Sequence, residues 1–334
     1  MDSENKNKFN TRKLIGYLFI IFVWMFAVII IPSYALSLKM SFTSQAPFDH
    51  WVQPYADACE ETSILMIDAF YRNYSLDKKI ADYEIRKIIG VKNKFIGPSF
   101  DEGVVKIAQL INDFFHWEAK VVKNPMLEQM KLELDNGHPI ILPANASILK
   151  NPHYTQNIDY HVLILSGYDE TTKEFIAQDP GTSYGQNYRY SYQTVMKAMS
   201  DVPAKGIFPG QKAVVFTSSE INQSNLSDGD NDGLVKRDEI KYHTSLLEPD
   251  TDRDGFLDGV EIKFGYSPHV AEYKLLAGSV VRSAKTHKVY LLGKTEKFHI
   301  VSQEAFNAKG FSWSQVTTVS EKYLSEFKEG KIIQ

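Results

Sequence analysis

The sequence predicts an α+β fold in which an N-terminal membrane helix precedes a mixed domain, a loop repeat and a small mixed C-terminal module. Three observations predict it. An uncharged apolar run lies near the N-terminus, helical and strand-like periodicities alternate over residues 51–217, and an acidic pattern recurs after 22 residues. The 334 residues are enough for two or three domains.

The N-terminal segment predicts where the chain is located. Basic residues within 1–13 precede Leu14–Ile31, eighteen residues without a charge. This length fits a short membrane span or a long signal-peptide core. A basic flank stays on the cytoplasmic side. We therefore expect 1–13 to be a cytoplasmic tail and 14–36 a single-pass anchor in a bacterial membrane, or a signal peptide if it is cleaved. The bulk of the chain is then extracytoplasmic.

The remainder divides by composition. Residues 38–50 form a polar linker, 51–217 one mixed domain, 218–227 a Ser/Asn-rich linker, 228–268 a tandem repeat and 272–334 a basic, β-leaning module. The formal net charge is −4, and no basic stripe with interleaved aromatic residues is present, which excludes nucleic-acid binding.

Within residues 51–217, local patterns predict the main elements. One helix starts near Cys59 and a second covers roughly Asp101–Phe115, each with apolar residues at helical spacing. Short apolar runs bounded by turn residues predict strands. The predicted strands are Pro139–Pro143, His161–Tyr168, Glu174–Gln178 and Ala213–Thr217.

The chain has one cysteine, Cys59, which excludes an intrachain disulfide. A lone thiol is either a small buried hydrophobe or a reactive group. At a helix N-terminus the free amides and the helix dipole favour the thiolate and lower the thiol pKa, as nucleophilic catalysis requires. Gln53 lies six residues upstream, where its amide is a candidate donor to the oxyanion of a tetrahedral intermediate.

A thiol nucleophile needs a base, and His161 is the best candidate of the nine histidines because it opens an apolar strand. Asp179 ends the next strand. If the two strands form a hairpin, Asp179 lies beside His161 and fixes its tautomer. Each residue also has a structural alternative when it is considered alone. A histidine in a buried strand is ordinarily a core residue, and an Asp-Pro pair is ordinarily part of a turn. The competing histidines lie near turns or lack a nearby aspartate-terminated strand; they are His116, His138 and His153.

These residues carry a family resemblance. The segment resembles the bacteriocin-processing (double-glycine leader) peptidase-like family of papain-like cysteine peptidases. The matching pieces are Gln53 six before Cys59, the Cys-Glu helix start, Tyr160–Asp169 and Asp179-Pro180. The resemblance implies a papain-like fold with Cys59 as nucleophile, His161 as base, Asp179 as orienting residue and Gln53 as oxyanion donor. Glutamate follows the cysteine where transporter-linked members have glycine, which is similar to the stand-alone branch.

The acidic repeat predicts two calcium loops. Both copies fit the twelve-residue pattern in which positions 1, 3 and 5 give carboxylates, position 7 a carbonyl and position 12 a bidentate glutamate. The predicted ligands are Asp228, Asp230, Asp232, Leu234 and Glu239 in the first loop, and Asp250, Asp252, Asp254, Phe256 and Glu261 in the second. The alternative is a solvated acidic loop.

The spacing of the two loops excludes a paired EF-hand, because only ten residues separate Glu239 from Asp250. The repeat resembles bacterial thrombospondin type 3 repeats, and dockerin repeats less closely. This resemblance implies a rod or spacer that calcium stiffens, with no catalytic role for the metal.

We therefore expect a surface cysteine peptidase that acts on peptide or protein substrates. Two alternatives stay open: a non-catalytic binding module on a papain-like fold, and a cysteine amidase acting on peptidoglycan peptides. The C-terminal module is similar to short terminal modules of bacterial surface proteins. It is either a partner for an anionic cell-wall glycan or a packing domain.

Overall fold

The structure is a computed structural model that describes residues 34–98, 101–154, 158–202, 210–222 and 226–334. Among these residues, no helix is long and apolar enough to cross a membrane. The predicted single-pass membrane location is therefore corrected. Leu14–Ile31 lies outside the described residues, but the predicted anchor extended to residue 36. Strand β1, Ala35–Ser37, instead pairs antiparallel with Gly167–Asp169, so this end of the predicted anchor belongs to a sheet.

A mixed helix-and-sheet region occupies residues 35–218. Its helices are α1 (Cys59–Tyr71), α2 (Lys78–Phe95), α3 (Val104–Phe114), α4 (Leu127–Asp135), α5 (Ala146–Leu149) and α6 (Tyr192–Ala198). Its strands after β1 are β2 (Glu118–Lys123), β3 (Ile140–Asn145), β4 (Tyr160–Asp169), β5 (Glu174–Gln178), β6 (Tyr188–Ser191) and β7 (Ala213–Ser218). The strand order is β2-β7-β3-β4-β5-β6, and β1 pairs with the end of β4 beyond β3.

The sheet separates two apolar clusters. Val162 and Ile164 of β4 pack in the cluster that includes residues of α1, α2 and α3, whereas Leu163 and Leu165 pack in the cluster that includes residues of α4 and α6. This alternation is the two-residue period of a strand that is buried on both faces. The arrangement fixes α1 against β4, which brings the start of the helix to the start of the strand.

Residues 38–50, expected as a linker, instead pack on this region. Thr43, Ser44, Gln45 and Ala46 are buried, and the Gln45 main-chain N–H donates to the Pro180 carbonyl at 2.9 Å. The segment therefore contributes to the interior next to Asp179 and does not act as a spacer.

The C-terminal part carries the acidic repeat and a second sheet. Helices α7 (Lys236–Tyr242) and α8 (Asp258–Phe264) follow the two acidic loops. The sheet has the order β11-β8-β9-β10-β12, and it is accompanied by α9 (Gln303–Ala308) and α10 (Glu321–Ser325). Its strands are β8 (Val280–Ser283), β9 (Val289–Leu292), β10 (Glu296–Ile300), β11 (Thr317–Val319) and β12 (Lys328–Glu329). The described elements of residues 272–334 are therefore short strands and short helices.

Candidate active site

Cys59 is the first residue of α1, as the sequence predicts, and only 4% of its surface is exposed. Its Sγ donates a hydrogen bond to Glu60 Oε2 at 3.1 Å. Among the described residues, no hydrogen bond joins Sγ to the His161 ring. Both side chains nevertheless line one narrow cleft, together with Trp51, Tyr160 and other residues.

The electrostatics of the thiol differ from the expectation. Burial raises the pKa of Cys59 well above its ordinary value, and the Glu60 carboxylate adds to this rise, while a main-chain hydrogen bond from Val162 opposes it. The prediction that the helix N-terminus lowers the thiol pKa is therefore wrong for this resting arrangement. The dipole of one helix turn is outweighed by loss of water and by a carboxylate in direct contact.

His161 and Asp179 form the buried pair that the hairpin predicts. Strands β4 and β5 are antiparallel neighbours, and His161 Nε2 lies 2.7 Å from Asp179 Oδ1. The His161 side chain is 2% exposed and the Asp179 side chain is fully buried. With Nε2 engaged by the carboxylate, Nδ1 is the ring nitrogen left for a proton transfer.

Asp179 is held by further donors that the sequence did not indicate. Its Oδ2 accepts from the hydroxyls of Tyr154 at 2.7 Å and Tyr190 at 2.6 Å and from the Asn151 amide at 3.2 Å. Burial alone raises the pKa of Asp179, but the His161 charge and these hydrogen bonds outweigh it and lower the pKa to about 2. Asp179 is therefore an ionised carboxylate that is buried from solvent.

Gly181 explains why the chain after Asp179 is so close to the imidazole. A Cβ at this position would lie 2.8 Å from His161 Cε1 and 3.0 Å from Tyr154 Cε1, which is closer than side chains pack. Its main-chain N–H donates to Asp179 Oδ1 at 3.0 Å. A residue without a side chain thus lets one turn cover the ring and bind the carboxylate.

Gln53 is not part of the cleft. Its side chain is exposed and donates to Asp57, and it borders a neighbouring pocket with Glu61 and Lys92. Gln45 lies in the cleft instead. It is 5% exposed, and its Nε2 donates to the carbonyls of Tyr55 and Ala56, each at 2.9 Å. The six-residue spacing to Cys59 therefore did not indicate which glutamine lines the cleft, because turns separate Gln45 from α1.

The other candidate histidines lie elsewhere. His138 pairs with Glu133 at 3.0 Å, the His153 ring stacks near Tyr184, and His116 borders a pocket at the opposite end of α1. None of these three lines the cleft that contains Cys59. His161 is therefore the base candidate that the geometry retains.

The two acidic loops have donor sets that suit a hard divalent cation. In each loop the three aspartates have carboxylate oxygens within 4.8 Å of one another: Asp228, Asp230 and Asp232, then Asp250, Asp252 and Asp254. Glu239 and Glu261 are buried, with 2% and 6% of their surfaces exposed. Gly233 and Gly255, at position 6 of each loop, have φ angles of 99° and 104°, as the sharp turn of such loops needs.

Several of these oxygens have no hydrogen-bond partner in the part of the chain that the structure describes. The buried oxygens without such a partner are both carboxylate oxygens of Asp230, Glu239 and Asp252 and one of Glu261. Burial, followed by repulsion from neighbouring carboxylates, raises the pKa of Asp230 to about 7 and that of Glu261 to about 8. A bound divalent cation would supply a positive charge to offset these carboxylates.

Among known proteins, residues 37–202 match the model of the Peptidase_C39 like family. No curated protein matches this chain. A solved structure from Bacillus anthracis, described as a C39-like peptidase, matches with 15% identity and a TM-score of 0.37, and covers 55% of this chain and 98% of that one. The family match supports a papain-like C39 peptidase domain. The resemblance to thrombospondin repeats stays a prediction.

Proposed function

Since residues 37–202 match the C39-like peptidases, we propose that this chain is a cysteine peptidase. In this proposal Cys59 is the nucleophile, His161 the general base and Asp179 the residue that orients it. The observation that carries the proposal is the buried His161–Asp179 pair, 2.7 Å apart, whose histidine lines the same cleft as the only cysteine.

The reaction begins with transfer of the Cys59 proton to His161 Nδ1. The sulfur then forms a bond to the carbonyl carbon of the peptide, and the carbonyl oxygen takes the negative charge. The protonated imidazole gives its proton to the leaving amine as the C–N bond breaks. Water, deprotonated by the same imidazole, then attacks the thioester carbonyl; the C–S bond breaks, the acid is released, and the imidazolium returns its proton to Cys59 Sγ. Asp179 stabilises the imidazolium at both stages because it stays ionised.

The resting hydrogen bond from Cys59 to Glu60 has to break before the first step. Catalytic hydrogen bonds are often absent or long in the substrate-free state and form when substrate binds. The carbonyl of a bound peptide would occupy the cleft beside Sγ. We expect this contact to turn the thiol from Glu60 towards His161, which lines the same cleft.

Gln45 is the proposed oxyanion donor in place of Gln53. Its amide lies in the cleft wall, where the Tyr55 and Ala56 carbonyls fix its direction. In the transition state, one N–H group of the Gln45 amide leaves its main-chain carbonyl and donates to the developing oxyanion instead. The main-chain amides at the start of α1 supply further donors, because the first turn of a helix has free N–H groups.

The test uses the full chain and a mixture of internally quenched peptides. Wild type should release fluorescence and Cys59→Ala should not, while circular dichroism confirms that both are folded. Hydrolysis that survives Cys59→Ala, or a wild type that cleaves no peptide or protein substrate, contradicts the proposal. Release of peptides from purified sacculi without cleavage of the quenched peptides would instead favour the amidase.

We also propose that the loops 228–239 and 250–261 each bind one structural calcium ion. The support is the set of buried carboxylate oxygens that have no hydrogen-bond partner among the described residues, above all both oxygens of Glu239. The Asp and Glu side chains named above would hold the ion, with the carbonyls of Leu234 and Phe256 at position 7. Isothermal titration calorimetry should give two calcium ions per chain, and absence of binding at millimolar calcium would refute the assignment.

A further inference from the structure

Lys236 is a buried lysine that joins the first acidic loop to the peptidase domain. It is 1% exposed, and its Nζ donates to the Trp117 carbonyl at 2.6 Å and the Ile111 carbonyl at 3.4 Å. The same ammonium lies 3.2 Å from Glu118 Oε1. A buried ammonium is costly unless oxygens surround it, and here they all come from the end of α3 and the start of β2.

The beginning of the loop lies on the same part of the domain. The Ser227 hydroxyl donates to Asp113 Oδ1 at 2.5 Å, and a Cβ at Gly229 would lie 2.9 Å from the Asp113 carbonyl. The Lys236 main-chain N–H in turn donates to the Ser227 carbonyl at 2.9 Å. The start of the first loop and Lys236 therefore both contact the last turn of α3, so the first loop packs on the peptidase domain.

The position of Lys236 depends on closure of the loop. Lys236 is at position 9, between the proposed ligands Asp232 and Glu239. Glu239 lies almost one turn further along α7, and within the described ranges neither of its carboxylate oxygens has a hydrogen-bond partner. A cation that draws Glu239 towards the aspartates would fix α7, and with it the lysine that begins the helix. Without the cation, repulsion among the carboxylates opposes this closure.

The clamped segment leads to the helix that carries the nucleophile. Trp117 is fully buried, and its Nε1 donates to Asp68 Oδ1 at 3.2 Å. Asp68 belongs to α1, whose first residue is Cys59. The contacts of Lys236 thus reach a segment that packs directly on α1.

We propose that calcium in the first loop clamps the peptidase domain through Lys236, so that one metal ion stabilises α3 and β2 from outside the domain. The inference rests on the proposed calcium binding and adds a role for the repeat within the peptidase. The second loop contacts the first, because the Gly259 main-chain N–H donates to Asp232 Oδ2 at 3.1 Å.

Hydrogen–deuterium exchange of the full chain, in calcium and in EGTA, tests the clamp. In wild type, calcium should slow exchange in residues 228–239 and also in 104–123. At a calcium concentration of 100 Kd the opening equilibrium shifts by up to about 100-fold. Residues 127–135, on the other face of the sheet, are the internal reference and should change least.

Lys236→Met removes the ammonium and keeps the length of the side chain. Calcium should still slow exchange in 228–239, while the calcium effect on 104–123 disappears. Lys241→Met is the matched control, because this lysine is exposed on the same helix and its recorded hydrogen bond goes to Tyr242. The control should behave like wild type.

The outcomes separate the two proposals. Protection of 228–239 in wild type without any change in 104–123 overturns the clamp and leaves calcium binding intact. A calcium effect on 104–123 that survives Lys236→Met also overturns it. If calcium protects neither segment and calorimetry gives no heat, calcium binding itself is refuted, and the clamp with it. The wild-type comparison needs no variant, so a variant that does not fold leaves the test valid.

Discussion

His161 Nε2 lies 2.7 Å from Asp179 Oδ1, although the two residues are 18 positions apart in the chain. The contact arises because β4 and β5 are antiparallel and Asp179 directly follows β5. It leaves one ring nitrogen for the thiol and an ionised carboxylate behind the imidazole. The predictions below test what this pair and its neighbours do.

Replacing Asp179 with asparagine should remove the orienting charge while keeping the shape of the side chain. We expect kcat to fall roughly 1,000- to 10,000-fold, because the amide favours the wrong imidazole tautomer and does not stabilise the imidazolium. Peptide hydrolysis under saturating substrate measures the change. Asp169→Asn, at the end of β4 and outside the cleft, is the control. A loss of less than tenfold in Asp179→Asn would show that the carboxylate does not serve catalysis.

The low pKa of Asp179 also predicts acid sensitivity. Its value of about 2 lies below the ordinary 3.8, so the folded state binds the proton more weakly than the unfolded state. The resulting stability, about 2 to 3 kcal/mol, is fully present above pH 4 and is lost as the pH falls towards 2. Urea unfolding from pH 6 to pH 2 measures it. Asp179→Asn should show a shallower loss, and equal slopes in both proteins would contradict the assignment.

Gln45 and Gln53 give opposite expectations for the oxyanion donor. Gln45→Ala should lower kcat roughly 100- to 1,000-fold, because it removes a donor from the transition state. Gln53→Ala should leave kcat nearly unchanged, since the side chain is exposed, does not line the cleft and donates to Asp57. Steady-state kinetics on the same peptide compare them. The reverse ranking would restore Gln53 as the donor.

Glu60 controls the reactivity of the resting thiol. Its carboxylate accepts a hydrogen bond from Cys59 Sγ at 3.1 Å. Burial is the largest cause of the raised thiol pKa, and the charge of Glu60 is the next largest. Glu60→Gln should therefore speed alkylation of Cys59 by iodoacetamide at pH 7, by about tenfold for each pKa unit that is removed. Rates in urea should be equal for both proteins, which controls for accessibility. An unchanged native rate would mean that burial alone limits the thiol.

Calcium should raise the stability of the chain, and Glu239 should be needed for it. A single site gives about 2.7 kcal/mol at a calcium concentration of 100 Kd. Glu239→Gln should lose most of this gain, because position 12 supplies the bidentate ligand. Asp238→Asn changes the neighbouring carboxylate, which is not among the proposed ligands, and should keep the gain. Thermal unfolding in calcium and in EGTA measures the difference, and an equal gain in Glu239→Gln would exclude this ligand.

Local patterns were sufficient for the elements that carry the site. The sequence predicts β5 at Glu174–Gln178 and a helix that begins near Cys59, because periodicity and turn residues are properties of short segments. These patterns did not predict the helix Lys78–Phe95. Its N-terminus is capped by the Asp77 side chain, which accepts hydrogen bonds from the main-chain N–H groups of Lys79 and Ile80. The membrane location, inferred from an apolar run, was wrong for the part of the chain that the structure describes.

What sequence reasoning missed depends on contacts between distant segments. Tyr154 and Tyr190 meet at Asp179 through folding of separate loops, so neither has a local signature. Gln45 reaches the cleft because residues 38–50 fold back onto the domain, which no spacing rule indicates. The direction of the Cys59 pKa shift depends on burial and on the rotamer of Glu60, and both are tertiary properties.

Intact-mass and peptide-mapping spectrometry after reaction with a peptidyl vinyl sulfone tests the central claim most directly. This electrophile captures a thiol that a neighbouring base activates. Wild type should gain one adduct, located on Cys59, whereas His161→Ala should gain little or none although iodoacetamide still labels it in urea. Equal labelling of the two proteins, or no adduct in wild type, would show that Cys59 and His161 do not act together.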